Sequence, residues 1–253
     1  MTTRFAGRTV LVTGAGSGLG RSIALAFAAE GARVAVAGRG AAPLAETVAL
    51  IEKEGGTAAA FTADVSRSAD VRALVRQTVE EFGGLDVAVN NAGVFRGGQA
   101  LGDLPEEDWH TLLDVNVTGV LLSMQAEIAH MRANGGGAIV NISSNLGTHQ
   151  RRAGTGAYAA TKAAVTALTR SAALDHTGDG IRINAVSPGP SDTSMSLLPG
   201  ESPAERAERM RDQSPLGRVS SGEEVAAAVL YLASPAAASV VGADLVMDGG
   251  ASA

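Results

Sequence analysis

The sequence predicts an α/β protein built on a doubly wound parallel sheet, with helices on both faces in three layers and one domain over residues 1–253. Two observations support this prediction. Short runs rich in Val, Ile and Ala alternate with longer helical stretches, which is typical of repeated strand–helix–strand units. The chain of 253 residues shows no internal repeat and no interdomain linker, and α/β folds of this size are commonly undivided.

Each apolar run is assigned to a strand and each periodic stretch to a helix. The predicted strands are Thr9–Thr13, Arg33–Ala37, Ala58–Thr62, Val87–Asn90, Ala138–Ser143, Arg182–Ser187 and Asp244–Met247. Helices are predicted to begin near Gly18, Ala42, Ser68, Pro105, Gly156 and Glu223, with a short helix after Ser202.

A glycine-rich turn joins the first strand to the first helix. It reads Thr13-Gly14-Ala-Gly-Ser17-Gly18-Leu19-Gly20, so the spacing is Thr-Gly-x-x-x-Gly-x-Gly, and Leu19 stands where a G-x-G-x-x-G motif has its last glycine. Glycines let backbone N–H groups approach a pyrophosphate at the positive end of a helix. Strand, turn and helix together therefore predict a dinucleotide site in a Rossmann-type domain.

A tyrosine and a lysine lie four residues apart, at Tyr158 and Lys162, on one face of a predicted helix. A Lys162 ammonium beside the phenol would favour the ionised form and lower a pKa that is otherwise near ~10. The predicted strand that ends at Ser144 places a hydroxyl at the carboxyl edge of the sheet, so Ser144 is the expected partner. Most Tyr–Lys pairs with this spacing are solvated surface neighbours, so the prediction depends on the glycine turn as well.

These motifs resemble those of the short-chain dehydrogenase/reductase family over nearly the whole chain. In the family's order they are Thr13-Gly14-x-x-x-Gly18-x-Gly20, Asp64-Val65, Asn90-Asn-Ala-Gly93, Asn116, Ser144, Tyr158-x-x-x-Lys162, and Pro188-Gly189 with Thr193. The resemblance implies a catalytic tetrad of Asn116, Ser144, Tyr158 and Lys162. The step from Ser144 to Tyr158 is one residue longer than the family's commonest spacing, and we expect the extra residue in the loop from Thr148 to Ala157.

The resemblance also implies the residues that contact a nicotinamide cofactor. They are Gly14, Ser17, Gly18, Leu19, Gly20, Arg39, Asp64, Val65, Asn91, Ala92, Gly93, Tyr158, Lys162, Pro188, Gly189 and Thr193. The second strand ends in Gly38-Arg39, where NAD-preferring members carry an Asp at the position of Gly38, so NADP(H) is favoured and NAD(H) is the alternative. Arg39 could also be only a solvated strand end. Asp64 is implied as an adenine ligand, although a lone Asp before a helix is more often a turn or cap residue.

Two segments flank the predicted substrate pocket. The irregular stretch from Ser187 to about Pro203 carries turn formers and exposed-looking apolar side chains, so we expect a substrate lid at about residues 187–215. The loop from His149 to Arg152 either contacts an anionic substrate or carrier protein, or is a solvated turn, which is the favoured interpretation.

Composition excludes several other classes of function. The net charge of −6 argues against nucleic-acid binding, and the lack of cysteine excludes disulfides and thiolate metal sites. The four histidines have no metal-site spacing, and no apolar run approaches the ~20 residues of a membrane span. The segment Met1 to Gly16 lacks the apolar region of a signal peptide, so a cytoplasmic protein is expected. The resemblance implies a homo-oligomer, expected to be a tetramer.

The sequence thus predicts an NADP(H)-dependent carbonyl reductase or alcohol dehydrogenase that acts on a small-molecule ketone or secondary alcohol. In this prediction Tyr158 is the general acid or base. Three alternatives stay open: an NAD(H)-dependent dehydrogenase of a sugar alcohol or other hydroxy compound, a catalytically silent NAD(P)-binding regulatory protein, and a nucleotide-sugar epimerase or dehydratase. The last class generally has an extra substrate domain, and only about 60 residues follow Pro188.

Overall fold

Seven parallel strands form one sheet in the order β3-β2-β1-β4-β5-β6-β7. The structure is a computed structural model that describes residues 3–253. Met1 and Thr2 lie outside the described residues, although they belong to the expected domain and to the segment that was examined for a signal peptide. The strands are β1 (Thr9–Thr13), β2 (Arg33–Gly38), β3 (Thr57–Thr62), β4 (Val87–Asn90), β5 (Gly137–Ile142), β6 (Ile181–Pro188) and β7 (Asp244–Met247). The seven predicted strands are confirmed: β1, β4 and β7 have the predicted bounds, and the ends of the other four differ by at most one residue.

Helices connect the strands and cover both faces of the sheet. They are α1 (Gly18–Ala29), α2 (Ala41–Lys53), α3 (Ser68–Phe82), α4 (Glu106–Leu113), α5 (Gly119–Ala133), α6 (Asn145–Thr148), α7 (Gly156–His176), α8 (Pro203–Gln213) and α9 (Gly222–Ala233). The helix predicted to begin near Pro105 consists of two α-helices, α4 and α5, which a π-helical turn at Asp114–Thr118 joins. The four-residue helix α6 was not predicted.

Two apolar layers hold the helices on the sheet. One contains Ile23 and Phe27 of α1 and Val225 and Val229 of α9, and the other contains Val165 of α7 with residues of α3 and α5. The strand β1 is buried at all five of its positions, as expected for a central strand covered on both faces. Successive strands are added to one side of β1 as far as β3, and from β4 onward they are added to the other side, so the strand order reverses between β1 and β4. In such sheets ligands bind at this point, outside the carboxyl ends of the strands.

The continuous helical stretch Glu106–Ala133 is 28 residues long and apolar enough, by length and composition alone, to cross a membrane. In the structure 44% of its most apolar window is buried inside the protein. It also carries the buried polar side chains of Asn116, Ser123 and Glu127. A core helix passes the same test, so the stretch is weak evidence for a membrane span.

A buried polar network ties α5 to the centre of the sheet. The Asn90 side-chain amide donates to Glu127 Oε2 at 3.0 Å and to Asn141 Oδ1 at 3.0 Å. Asn141 in turn donates to Thr169 Oγ1 on α7 at 2.9 Å. Burial raises the pKa of Glu127 to about 7, while the hydrogen bond from Asn90 opposes that shift. The first asparagine of the Asn90-Asn-Ala-Gly93 motif therefore joins strands and helices in the interior.

We expect Glu127→Gln to remove a pH dependence of stability. The folded protein keeps the Glu127 proton up to about pH 7, whereas an unfolded chain releases it near 4.5. The free energy of unfolding should therefore fall as pH rises through this window, by at most roughly 3 kcal/mol or about 6–12 °C in Tm. Glutamine keeps the acceptor for Asn90 and cannot ionise, so the variant should lose this fall.

Thermal unfolding of both proteins between pH 5 and 8 measures the effect. Glu107→Gln is the matched control, because Glu107 is exposed on the same helical stretch. Parallel Tm curves for the wild type and Glu127→Gln would show that the carboxyl does not titrate in the core.

Candidate active site

A cleft of about 1610 Å³ opens at the carboxyl edge of the sheet. Four strand ends contribute to its wall: the glycine turn after β1, Asn91–Gly93 after β4, Ser143 and Ser144 after β5, and Pro188–Thr193 at the end of β6. The cleft therefore lies at the reversal point between β1 and β4, where the sheet topology predicts a ligand.

Most of the predicted site residues line this one cleft. They are Gly14, Ser17, Gly18, Leu19, Gly20, Asn91, Ala92, Gly93, Ser144, Tyr158, Lys162, Pro188, Gly189 and Thr193. Four others do not line it: Arg39, Asp64 and Val65 lie beyond its wall, and Asn116 is fully buried behind it.

The glycine turn fits a bound pyrophosphate. Gly14 has φ +67°, which favours glycine, and a Cβ at Gly20 would lie 2.2 Å from the Gly14 carbonyl oxygen. The exposed Ser17 side chain makes no hydrogen bond to the N-terminus of α1, so the first backbone N–H groups of that helix face the cleft without a cap. An anion is stabilised by such N–H groups and by the helix dipole.

Asn91 and Thr13 hold the two central strand ends together. The Asn91 side chain donates to the Thr13 carbonyl at 2.9 Å, and the backbone N–H groups of Asn91 and Ala92 donate to Thr13 Oγ1 at 3.1 Å. These bonds fix the glycine turn against the segment Asn91–Gly93. The glycine turn and the segment Asn91–Gly93 therefore form one continuous, hydrogen-bonded edge of the cleft.

Arg39 and Asp64 lie near each other beyond the cleft wall. Arg39 is exposed after β2, and among residues 3–253 it makes no ion pair. Asp64 Oδ1 accepts hydrogen bonds from the backbone and hydroxyl of Ser66 at 3.0 and 2.7 Å. Those bonds hold the pKa of Asp64 below its usual value, with a smaller contribution from the Arg39 charge. Asp64 thus has a turn role in the structure, and Val65 packs against the position of Gly119.

Tyr158 and Lys162 are both buried on the inner face of α7. Tyr158 is 7% exposed and its ring packs edge-on against Phe95 at a centroid distance of 5.0 Å. Lys162 is 4% exposed, and its Nζ donates to the Ile142 carbonyl at 2.8 Å. Lys162 Nζ lies 5.8 Å from the Tyr158 ring centroid. The carbonyl of Ile142, at the end of β5, is a part of the site that the sequence did not indicate.

The pKa of Tyr158 is shifted in the direction opposite to the one predicted. Burial raises the pKa of the phenol to about 12, and a hydrogen bond with Ser144 only partly offsets the shift. Burial also lowers the pKa of Lys162 to about 8. The prediction considered only the attraction between the ammonium and a phenolate. In the structure, loss of hydration is the largest cause of the pKa shift of both Tyr158 and Lys162.

Ser144 is positioned by the short helix α6. Its hydroxyl accepts a hydrogen bond from the Leu146 N–H at 3.2 Å and so caps that helix. A Cβ at Gly147 would lie 3.0 Å from backbone atoms of α7, including the Lys162 carbonyl carbon. The close contact of α6 with α7 therefore sets the distance between Ser144 and Tyr158.

Asn116 occupies the π-helical turn between α4 and α5. Its Oδ1 accepts from the Val94 N–H at 2.8 Å, and its Nδ2 donates to the Val94 carbonyl at 2.9 Å and to Thr161 Oγ1 at 3.2 Å. Single π-helical turns are frequent at functional sites. The irregular turn directs Asn116 toward α7, where a Cβ at Gly93 would lie 3.3 Å from Asn116 Oδ1 and 3.5 Å from Lys162 Nζ.

The segment predicted as a lid is held by two arginines of α8. Arg206 donates to the Thr193 carbonyl at 3.1 Å and to Ser196 Oγ at 2.9 Å, and it also contacts the Asp192 carboxylate. Arg209 binds both carboxylate oxygens of Glu201, at 2.6 and 2.7 Å. The irregular part spans residues 189–202 and forms one wall of the cleft.

His149 contacts the interior of the protein and does not line the cleft. Its Nε2 lies 2.8 Å from Asp244 Oδ2, and Asp244 also accepts from Thr166 and Ser187. This pair ties the loop after α6 to the start of β7. Among residues 3–253, no group of His, Asp and Glu side chains is placed to hold a metal ion.

The chain is similar to characterised oxidoreductases over almost its entire length. Residues 14–252 match the family described as Enoyl-(Acyl carrier protein) reductase. The chain is 42% identical to cis-4-hydroxycyclohexanecarboxylate dehydrogenase of Sinomonas cyclohexanicum, with 97% of each chain covered. It is 41% identical to galactitol 2-dehydrogenase (L-tagatose-forming) of Cereibacter sphaeroides and 39% identical to cyclohexanol dehydrogenase of an Acinetobacter species, in each case with 98% of this chain and 96% of the relative covered.

Solved structures with the same fold contain either nicotinamide cofactor. A short-chain dehydrogenase from Burkholderia cenocepacia in complex with NADP is 38% identical, with a TM-score of 0.91 over 99% of this chain and 100% of that one. A 7α-hydroxysteroid dehydrogenase complexed with NADH and 7-oxo glycochenodeoxycholic acid is 32% identical, with a TM-score of 0.91 over 98% of this chain and 96% of that one.

Proposed function

This chain belongs to the short-chain dehydrogenase/reductase family, and from that premise we propose that it is an NADP(H)-dependent enzyme that interconverts a secondary alcohol and its ketone. The observation that carries the proposal is the convergence of Ser144, Tyr158 and Lys162 in the same cleft as the glycine turn. The relatives are dehydrogenases of cyclic alcohols and sugar alcohols, which supports an alcohol oxidoreductase.

The residues present fit a nicotinamide cofactor. The N-terminus of α1 and the turn from Gly14 to Gly20 would hold the pyrophosphate, and the cleft continues from there to Tyr158 and Lys162. The cofactor supplies hydride chemistry: the alcohol carbon gives a hydride to the oxidised form and the alcohol oxygen gives a proton, which leaves a ketone, the reduced form and H⁺. The chain itself provides binding, orientation and the proton transfer.

Tyr158 is the group proposed to transfer the proton. With a pKa of about 12 the phenol stays protonated at neutral pH, which is the state that donates a proton during ketone reduction. Ser144 would donate a hydrogen bond to the substrate oxygen and hold it beside the phenol. Lys162 supplies positive charge behind the phenol, and Asn116 positions α7 through Thr161.

The wall of the cleft carries apolar side chains that would contact an alicyclic substrate, beside polar ones such as Gln150, Ser194 and Gln213. Its apolar members include Phe95, Leu146, Met195, Leu197, Leu198 and Met210. A sugar alcohol needs hydrogen-bond partners along its whole length, because hydroxyl groups buried without partners cost binding energy. The cyclohexane-type substrates in the names of two relatives fit the apolar members of this wall, and the polar members keep a sugar alcohol as the second candidate.

Tyr158→Phe should reduce turnover by about 10²–10⁴-fold while leaving cofactor affinity nearly unchanged, because phenylalanine keeps the ring and removes the proton. The chain has two tyrosines, and Tyr231 is 42% exposed on α9, so Tyr231→Phe is the matched control. Measurement of kcat for cyclohexanol oxidation and of cofactor Kd separates the two effects. Wild-type turnover in Tyr158→Phe would refute the assignment.

The proposed preference for NADP(H) rests on Arg39. The guanidinium is exposed beside Asp64, in reach of the strand end where a ribose 2′-phosphate would be recognised. The NADP-bound structure with 38% identity is consistent with this choice. Gly38 leaves space for an acid, because a Cβ there would meet only Leu44 Cδ2 at 3.6 Å.

Arg39→Ala should weaken NADPH binding about ten- to a hundredfold and change NADH binding little, because NADH lacks the phosphate. Gly38→Asp combined with Arg39→Ala should invert the preference, since the acid can bind the 2′-hydroxyl and repel a phosphate. Arg67→Ala, which removes another exposed charge near Asp64, is the control. The measurement is kcat/KM with each cofactor, and a wild type that prefers NADH would contradict the proposal.

A further inference from the structure

The charged side chains that line the cleft neutralise one another, with two exceptions. Arg96 Nε lies 3.2 Å from Asp108 Oδ1, and Arg209 forms its two-point ion pair with Glu201. The two exceptions are Lys162, which belongs to the proton-transfer site, and Arg152. Within residues 3–253, no carboxylate lies within ion-pair distance of Arg152, and its guanidinium makes no hydrogen bond to protein.

The backbone of Arg152 is fixed although its guanidinium is not engaged. Its carbonyl oxygen accepts hydrogen bonds from the Thr155 N–H at 3.3 Å and from Thr155 Oγ1 at 2.7 Å. The same turn is tied to the opposite loop, because the Gly98 N–H donates to the Gly154 carbonyl at 2.8 Å. Thr155 directly precedes α7, which carries Tyr158. The turn therefore fixes the backbone from which the Arg152 side chain extends, next to the start of α7 and on the wall of the cleft that carries Tyr158.

The neighbouring Arg151 differs in both respects. It donates to the Gly147 and Gln150 carbonyls at 3.4 and 3.3 Å, and it does not line the cleft. Both arginines are exposed members of one loop. Arg152 thus differs from Arg151 in lining the cleft and in having, among residues 3–253, no protein group that engages its guanidinium.

We propose that Arg152 binds a carboxylate of the substrate, so that the enzyme acts on hydroxy acids or oxo acids in which an apolar spacer separates the carboxylate from the reacting carbon. This inference rests on the proposed function. A guanidinium presents a planar fork that matches a carboxylate with two parallel hydrogen bonds. The apolar wall formed by Phe95, Leu198 and their neighbours would contact the spacer, and Ser144 and Tyr158 would receive the alcohol.

The test compares three alcohols that share one ring: cis-4-hydroxycyclohexanecarboxylate, its methyl ester, and cyclohexanol. Wild-type kcat/KM should be at least about tenfold higher for the carboxylate than for the ester, with the difference in KM. Arg152→Gln should lower the carboxylate-to-ester ratio about tenfold, and Arg152→Lys should retain part of it. Arg151→Gln is the matched control and should keep the wild-type ratio. Added salt should raise KM for the carboxylate in the wild type and much less in Arg152→Gln.

The outcomes separate this inference from the proposed function. If cyclohexanol and the ester are oxidised as well as the carboxylate, or if Arg151→Gln lowers the ratio as much as Arg152→Gln does, the inference is wrong and the proposed function stands. If none of the alcohols is oxidised with either cofactor, the proposed function fails. Calorimetry with cyclohexanecarboxylate and saturating NADP⁺ then decides: binding that Arg152→Gln weakens about tenfold supports the carboxylate site, and absence of binding overturns it.

Discussion

The ammonium of Lys162 is buried without a carboxylate partner among residues 3–253, and the geometry of the site depends on how that charge is held. Among the described residues its one hydrogen bond goes to the carbonyl of Ile142, at the end of a strand whose next residues lead to Ser144. A pKa lowered from 10.5 to about 8 corresponds to a penalty of roughly 3 kcal/mol for the charged form. The packing of the folded chain has to offset this penalty, and it includes the close contact of α6 with α7 that places Ser144 beside Tyr158.

Burial moves the two titrating groups toward their neutral forms. The pKa of Tyr158 rises to about 12 while the pKa of Lys162 falls to about 8, so a neutral phenol faces an ammonium that is easily lost. A phenolate at neutral pH requires further positive charge in the cleft. The ring of an oxidised nicotinamide would supply such a charge, whereas the ring of the reduced form would not. We therefore expect the pKa of Tyr158 to depend on which form of the cofactor is bound.

Periodicity and glycine placement predicted the strands and the glycine turn, because both depend on local backbone and burial patterns. The residues that line the cleft from Gly14 to Gly20 could be named for the same reason. The burial of Tyr158 could not be predicted from the sequence, and so the predicted direction of its pKa shift was wrong. The π-helical turn at Asn116 and the cap that Ser144 forms on α6 also have no local sequence signal. Asp64 makes the turn hydrogen bonds that its position before a helix indicates, while its contact with adenine and the role of Arg39 in cofactor choice stay predictions.

Tyrosinate formation in Tyr231→Phe, followed by absorbance near 295 nm, tests the coupling most directly, because Tyr158 is then the one tyrosine in the chain. The protein without cofactor should show no tyrosinate up to about pH 10.5, since burial holds the pKa of Tyr158 at about 12. Saturating NADP⁺ should bring the transition into that range, and NADPH should not. A Tyr158 that titrates near ~10 without cofactor, as an exposed phenol does, or one that NADP⁺ leaves protonated throughout, would contradict the account.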